Sequence, residues 1–235
     1  MAADLATLAL ALGKSFLFVL ATLLPILNPA ATAPIFLGLT EGASADTRAL
    51  LARRIARNMF GLMAGSMLIG SYVLDFFGIS LPIVRVGGGL IVVAAAWRLL
   101  NATPATMDSR TKLAEAFTPE HASRQAFYPL TFPISCGPGS ITAAITVGVA
   151  LNDPTLAVSV ARMGGALLAL LVIALVMYLA FRYAPRLLRP LGEAGTVVFL
   201  RLSAFILLCV GVQIMWDGAS ELLRGLFAGA PLPPA

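Results

Sequence analysis

Two short strings in this 235-residue chain carry residues able to hold a small charged group without a charged side chain. The first is Asn28-Pro29 within LPILNPAATAPIF, Leu24 to Phe36, with Thr32 one turn further on. The second is Gly137-Pro138-Gly139-Ser140 within FPISCGPGSIT, Phe132 to Thr142, where Ser135 and Thr142 add hydroxyls. Asn is a favoured N-cap, and Pro suits the first helical position, where its missing N–H costs nothing. Each string therefore reads as a helix that stops and restarts. The restarting half offers backbone N–H groups and the positive end of its dipole, which suit an anion. The half that stops offers carbonyls and partial negative charge, which suit a cation. Two facing breaks would hold the carboxylate and the ammonium of a zwitterion. No Asp, Glu, Lys or Arg stands near either string, and Ala30, Ala31, Ala33, Gly137 and Gly139 leave room for a compact ligand. For one string alone, tight helix crossing through small residues explains the pattern equally well.

Covalent chemistry has weaker support. A nucleophile at Ser135 or Ser140 would need a base, and the single histidine, His121, lies in a polar stretch with Asp108, Glu115 and Glu120. Cys136 and Cys209 fall in apolar runs and read as small buried hydrophobes. No His, Cys or carboxylate cluster has metal-ligand spacing. No cofactor, metal or enzymatic activity is expected.

The elements that carry the two strings belong in a membrane. The chain is 59% hydrophobic and 11% charged, against about 25% charge in a soluble domain. A spanning helix needs about 20 mostly apolar residues. Six candidates run from about Leu8 to Leu39, Ile55 to Phe77, Leu81 to Leu100, Phe127 to Leu151, Val158 to Tyr183 and Val197 to Leu223. In lipid a broken helix leaves backbone groups without partners, so a break survives only where protein or a polar cavity covers it. The N-terminus lacks the basic region of a signal peptide, so the first span is expected to stay.

The net charge of +5 sits mostly in short loops and reads as membrane orientation, not as nucleic-acid binding. Arg48, Arg53, Arg54 and Arg57 flank the first loop. Arg98, Arg110, Lys112 and Arg124 flank the third, and Arg182, Arg186, Arg189 and Arg201 the fifth. Lys14, Arg85, Arg162 and Arg224 fall on the other side. The positive-inside rule then puts the odd loops in the cytoplasm and both termini outside.

The halves of the chain also match each other. Pro25 and Pro133 precede the two breaks, and Asn28-Pro29 corresponds to Gly137-Pro138. RVGGGLIVVAAAW, Arg85 to Trp97, aligns in placement with RLSAFILLCVGVQ, Arg201 to Gln213. Three spans per copy is an odd number, so the second copy enters the bilayer upside down. The expected fold is an all-α membrane protein, a single domain over 1–235. It has two inverted three-helix repeats, about 8–100 and 127–223, a polar cytoplasmic loop over about 101–125, and spans 1 and 4 broken at mid-membrane. Paired broken helices in inverted repeats point to the substrate site of a secondary transporter.

Among the other polar residues, Asp75 and Arg85 sit near an interface and read as an ion pair or a snorkelling arginine. Asp217 reads as solvated. Asn58 and Gln213 read as interhelical hydrogen-bonding groups, with Gln213 a candidate to face a cavity. Trp97 and Trp216 stand near helix ends, where aromatic belts form.

The NPxxxxPIF-like string, the GPGSIT string, the six spans and the RxxGG-type third span resemble the MarC family of bacterial inner-membrane proteins. The resemblance covers about Phe16 to Gly218. That family includes small neutral amino acid transporters and is related to LysE-type exporters. The resemblance implies transport of glycine or alanine coupled to the proton gradient, with the site at the two breaks: Asn28, Pro29, Thr32, Ser135, Gly137, Pro138, Gly139, Ser140 and Thr142. It implies a bacterial inner-membrane location, which with the arginine count makes both termini periplasmic; the expected partners are the amino acid, the proton and the lipid bilayer, with no nucleic acid. Ala30-Ala31-Thr32-Ala33 and Ser135-Cys136 depart from the common family pattern and would tune the size of the pocket. A channel or exporter for another small solute is the alternative, ahead of an intramembrane enzyme.

Overall fold

The computed structural model describes residues 4–40, 43–101 and 126–227, and every element in them is helical. Helix α1 spans Leu5–Leu27 and α2 spans Pro29–Leu39. Then come α3, Ala45–Phe76, and α4, Leu81–Leu100. A wide-turn segment, Ala126–Ser135, leads into α5, Pro138–Ala150. Helix α6 covers Leu156–Arg182 and α7 the five residues Ala184–Leu188. A 3-10 turn, Arg189–Leu191, joins α7 to α8, Gly192–Phe227. The stretch 102–125, with Asp108, Arg110, Lys112, Glu115, Glu120, His121 and Arg124, and the tail 228–235 lie outside the described residues.

Among the described residues five helices, α1 and α2 counting as one, are long and apolar enough to cross a membrane. The count is six if Ala126–Ser135 and Pro138–Ala150, bent by 72° at their junction, form one span. Their outer faces are as apolar as the core. Leu168, Leu171 and Leu175 of α6 and Val198, Leu202 and Phe205 of α8 are exposed, which suits a lipid solvent.

Two expectations need correction. Helix α3 begins at Ala45, well before Ile55, so the first arginine cluster lies on a helix. The Ser44 hydroxyl caps it by accepting from the Thr47 N–H at 3.1 Å, and Arg48 donates to the Ala43 carbonyl at 2.7 Å and 3.1 Å. The first half of span 4 is also not an α-helix. Tyr128 and Phe132 take extended angles, and the Phe132–Pro133 peptide is cis. Pro129 and Pro133 lack the N–H that an α-helix needs, so the backbone closes wider rings. The Cys136 N–H donates to the Thr131 carbonyl five residues back, at 2.8 Å.

The core lies between α3 and α6, with Leu51, Ile55, Met59, Met63, Leu170, Ile173 and Met177 wholly buried. Phe36 of α2 stacks on Phe181 of α6, ring centroids 4.6 Å apart at 11°. Helix α1 packs on α6, α3 on α5 and α6, and α4 on α5.

The most extensive pair is α4 with α8. Lipid removes the hydrophobic drive between helices, so close packing must hold such a pair together. Glycines allow it. A Cβ on Gly89 would stand 2.6 Å from the Met215 nitrogen, and one on Gly211 would stand 2.9 Å from the Val93 nitrogen. Gly218 meets the Pro82 carbonyl and Arg85, so the two helices run antiparallel. Arg85 donates to Glu221 of α8 at 2.6 Å, and that is its ion pair, not Asp75, which is exposed near the end of α3. Gln213 donates to Asp217 at 2.7 Å on the outside of α8.

Candidate functional site

The first break turns on one residue. Asn28 takes left-handed angles, φ 44° and ψ 65°, and its N–H closes α1 on the Leu24 carbonyl at 3.0 Å. Asn tolerates this region better than most residues because its short amide bonds locally. Here Oδ1 accepts from the Ala31 N–H at 3.1 Å, capping α2, and Nδ2 donates to the Ser203 carbonyl of α8 at 3.2 Å. The Asn28 carbonyl accepts from the Thr32 hydroxyl at 3.0 Å. This break is capped and tied to a distant helix.

The second break differs. Gly137, extended at φ −81° and ψ 173°, is the N-cap of α5 and has no side chain to offer the helix. Pro138 has no N–H, and the Ser140 and Ile141 N–H groups donate to the Gly137 carbonyl at 3.0 Å and 3.3 Å, which leaves the Gly139 N–H for a ligand. The Ser140 hydroxyl donates to the Gly137 carbonyl at 2.7 Å, the Ser135 hydroxyl to Leu130 at 2.7 Å and the Thr142 hydroxyl to Pro138 at 3.1 Å. A hydroxyl whose proton is committed to a carbonyl still has lone pairs. In the cavity, Thr32, Ser135 and Ser140 are therefore acceptors.

The breaks open into one cavity of about 480 Å³. Asn28, Thr32, Ser135, Gly137, Pro138, Gly139 and Ser140 line it, with an apolar remainder that includes Ile26, Ile35, Val92 and Leu130. Two expected site residues are elsewhere. Pro29 is absent from the lining, and Thr142 packs on α4, where a Cβ on Gly88 would meet its side chain. The cavity runs to the face where α2 and α4 end, at Leu39, Arg98 and Leu99.

Both specific strings are thus part of one cavity, and they lie inside the stretch that matches a known family. Residues 13–223 fit the family described as "MarC family integral membrane protein". This chain belongs to the MarC family. Relatives called "UPF0056 inner membrane protein MarC" occur in Escherichia coli strain K12 and in Escherichia coli strain UTI89. Each is 30% identical over 207 residues, 87% of this chain and 94% of the relative. The relative from Escherichia coli O157:H7 is 30% identical over 210 residues. No solved structure matches.

One feature of this MarC-family cavity corrects the sequence reading. The cavity is not free of charged side chains, because Arg98 lines it. Counting Arg98 as a loop charge hid it. Its signal was the helical spacing Ile91, Ala95, Arg98, which puts three residues of α4 on one face, and all three line the cavity.

Proposed function

We propose that the chain is a secondary transporter of small neutral amino acids, glycine or alanine, in the bacterial inner membrane. The observation that carries this reading is the shared cavity, mostly apolar and reached by both interrupted helices. The start of α5, which no side chain caps, would receive the carboxylate at the Gly139 N–H. The oxygens of Thr32, Ser135 and Ser140 would accept from the ammonium. A pocket of about 480 Å³ admits such a ligand with accompanying water. Ser135 and Ser140 spend their protons on backbone carbonyls, which favours binding over nucleophilic attack.

Alternating access by two inverted repeats is part of the proposal. The packing supports it, because exchanging each span with its counterpart three spans on turns one contact into another. The α1–α6 contact becomes the contact of α5 with α3, and α4–α8 maps onto itself. Antiparallel α4 and α8 need an even number of spans between them, which supports counting the bent pair as one span beside α6, for six in all. The arginine distribution supports an Arg98 end in the cytoplasm and both termini in the periplasm, an orientation in which the cavity faces inward. Proton coupling completes the proposal; among the described lining residues there is no Asp, Glu or His.

The test is flux of labelled alanine and glycine in proteoliposomes, with and without a pH gradient. Saturable, stereoselective alanine flux supports the carrier, and acceleration by the gradient supports coupling. Flux that stays linear to high millimolar would point to a channel. Ser140→Leu should abolish binding while the protein still elutes as a single folded species.

A further inference from the structure

We infer that Arg98 is the group through which this cavity selects a carboxylate-bearing ligand as it enters from one side of the membrane. The inference rests on the amino acid reading above and names a specificity residue for it. Arg98 stands in the last turn of α4 and lines the same cavity as Asn28 and Gly137 to Ser140. On α4, Val92 marks the level of the second break, because a Cβ on Gly139 would meet its side chain. Arg98 lies six residues further on, about 9 Å along the axis at about 1.5 Å per residue. Its long stem can lie along the apolar wall and carry the charge inward.

Arg98 and the break would act in sequence on the same carboxylate. Guanidinium presents a planar pair of donors that matches a carboxylate in two parallel hydrogen bonds. Low-dielectric walls concentrate its field in the cavity and raise the local concentration of the matching charge. The Gly139 N–H and the positive dipole end at the start of α5 then receive the carboxylate from it. Among the described lining residues Arg98 is the only charged one, so it discriminates against ligands that bear an amine alone. It stands at one mouth, so its effect is one-sided.

The experiment uses the full-length protein in proteoliposomes of defined orientation, with KM for labelled alanine measured from each side. Arg98→Gln should raise KM about tenfold from the Arg98 side, the size of one lost charge-assisted contact, and leave KM from the opposite side unchanged. Arg98→Lys keeps the charge without the paired donors and should fall between. Alaninamide, which lacks the carboxylate, should compete poorly in the wild type, and Arg98→Gln should narrow that gap. Arg98→Met serves as a second neutral variant if the Gln variant does not elute as a folded species. Unchanged KM in a neutral variant, or an equal rise from both sides, overturns the assignment while the amino acid reading stands. Absence of saturable flux in the wild type overturns both.

Discussion

The Nδ2 of Asn28 donates to the main-chain carbonyl of Ser203 at 3.2 Å, joining the first break to a helix 175 residues away in sequence. The same side chain caps α2 through Oδ1. Removing it deletes a cap and an interhelical bond together. Asn28→Ala should lower stability by about 1–2 kcal/mol. Asn28→Asp keeps the cap but sets a carboxylate against a carbonyl, and should cost more. Thermal unfolding in detergent gives the ranking, and an Asp variant as stable as wild type would remove the Ser203 tie from the account.

Gly137 and Gly139 should separate binding from folding. A Cβ on Gly137 finds its nearest neighbour, the Pro133 carbonyl oxygen, at 3.5 Å, in ordinary contact. Gly137→Ala should fold normally and reduce flux, since the methyl group enters the cavity. A Cβ on Gly139 would overlap the Val92 side chain. Gly139→Ala should therefore destabilise by about 1–3 kcal/mol, and Val92→Ala in the same chain should recover most of the loss. Lack of recovery would mean that the α4–α5 contact is not what limits this position.

Phe36 and Phe181 offer a cleaner measure of packing. Both are essentially buried and their rings are stacked. Either substitution to Ala should cost about 3–5 kcal/mol. A double-mutant cycle should return a coupling of about 0.5–1.5 kcal/mol beyond simple burial. Strict additivity would show that the two rings do not interact.

Orientation can be read with an impermeant thiol reagent on intact cells in a background without Cys209. Thr155 and Arg189 are both exposed, on connections at the two ends of α6. Thr155→Cys should label from outside and Arg189→Cys should not. The reverse pattern would turn the chain over and make the cavity face outward.

Much of the architecture was legible in the residues. Leu81–Leu100 matched its expectation because Gly78 at φ 65° and Pro82 mark its start, and Asn101 its end. Asn28-Pro29 announced a restart that the backbone makes. Hydropathy failed where composition and conformation part. It started α3 too late because a helix at an interface carries Arg48 to Arg57 on its backbone as readily as apolar residues. It drew a helix over Ala126–Ser135 because it does not register the N–H groups that Pro129 and Pro133 remove. Arg98 was visible as a charge, but where it faces depends on how α4 is rotated, and no residue count supplies that.

The glycine seam between α4 and α8 has an evolutionary consequence. Gly89, Gly211 and Gly218 each face main-chain atoms of the opposite helix, so no rotamer change on the partner can accommodate a new methyl group. Positions 89, 211 and 218 should each stay glycine across descendants of this gene, since no change at the facing position removes a main-chain atom. The cavity wall at Ala95 and Ile35 is free to vary one residue at a time.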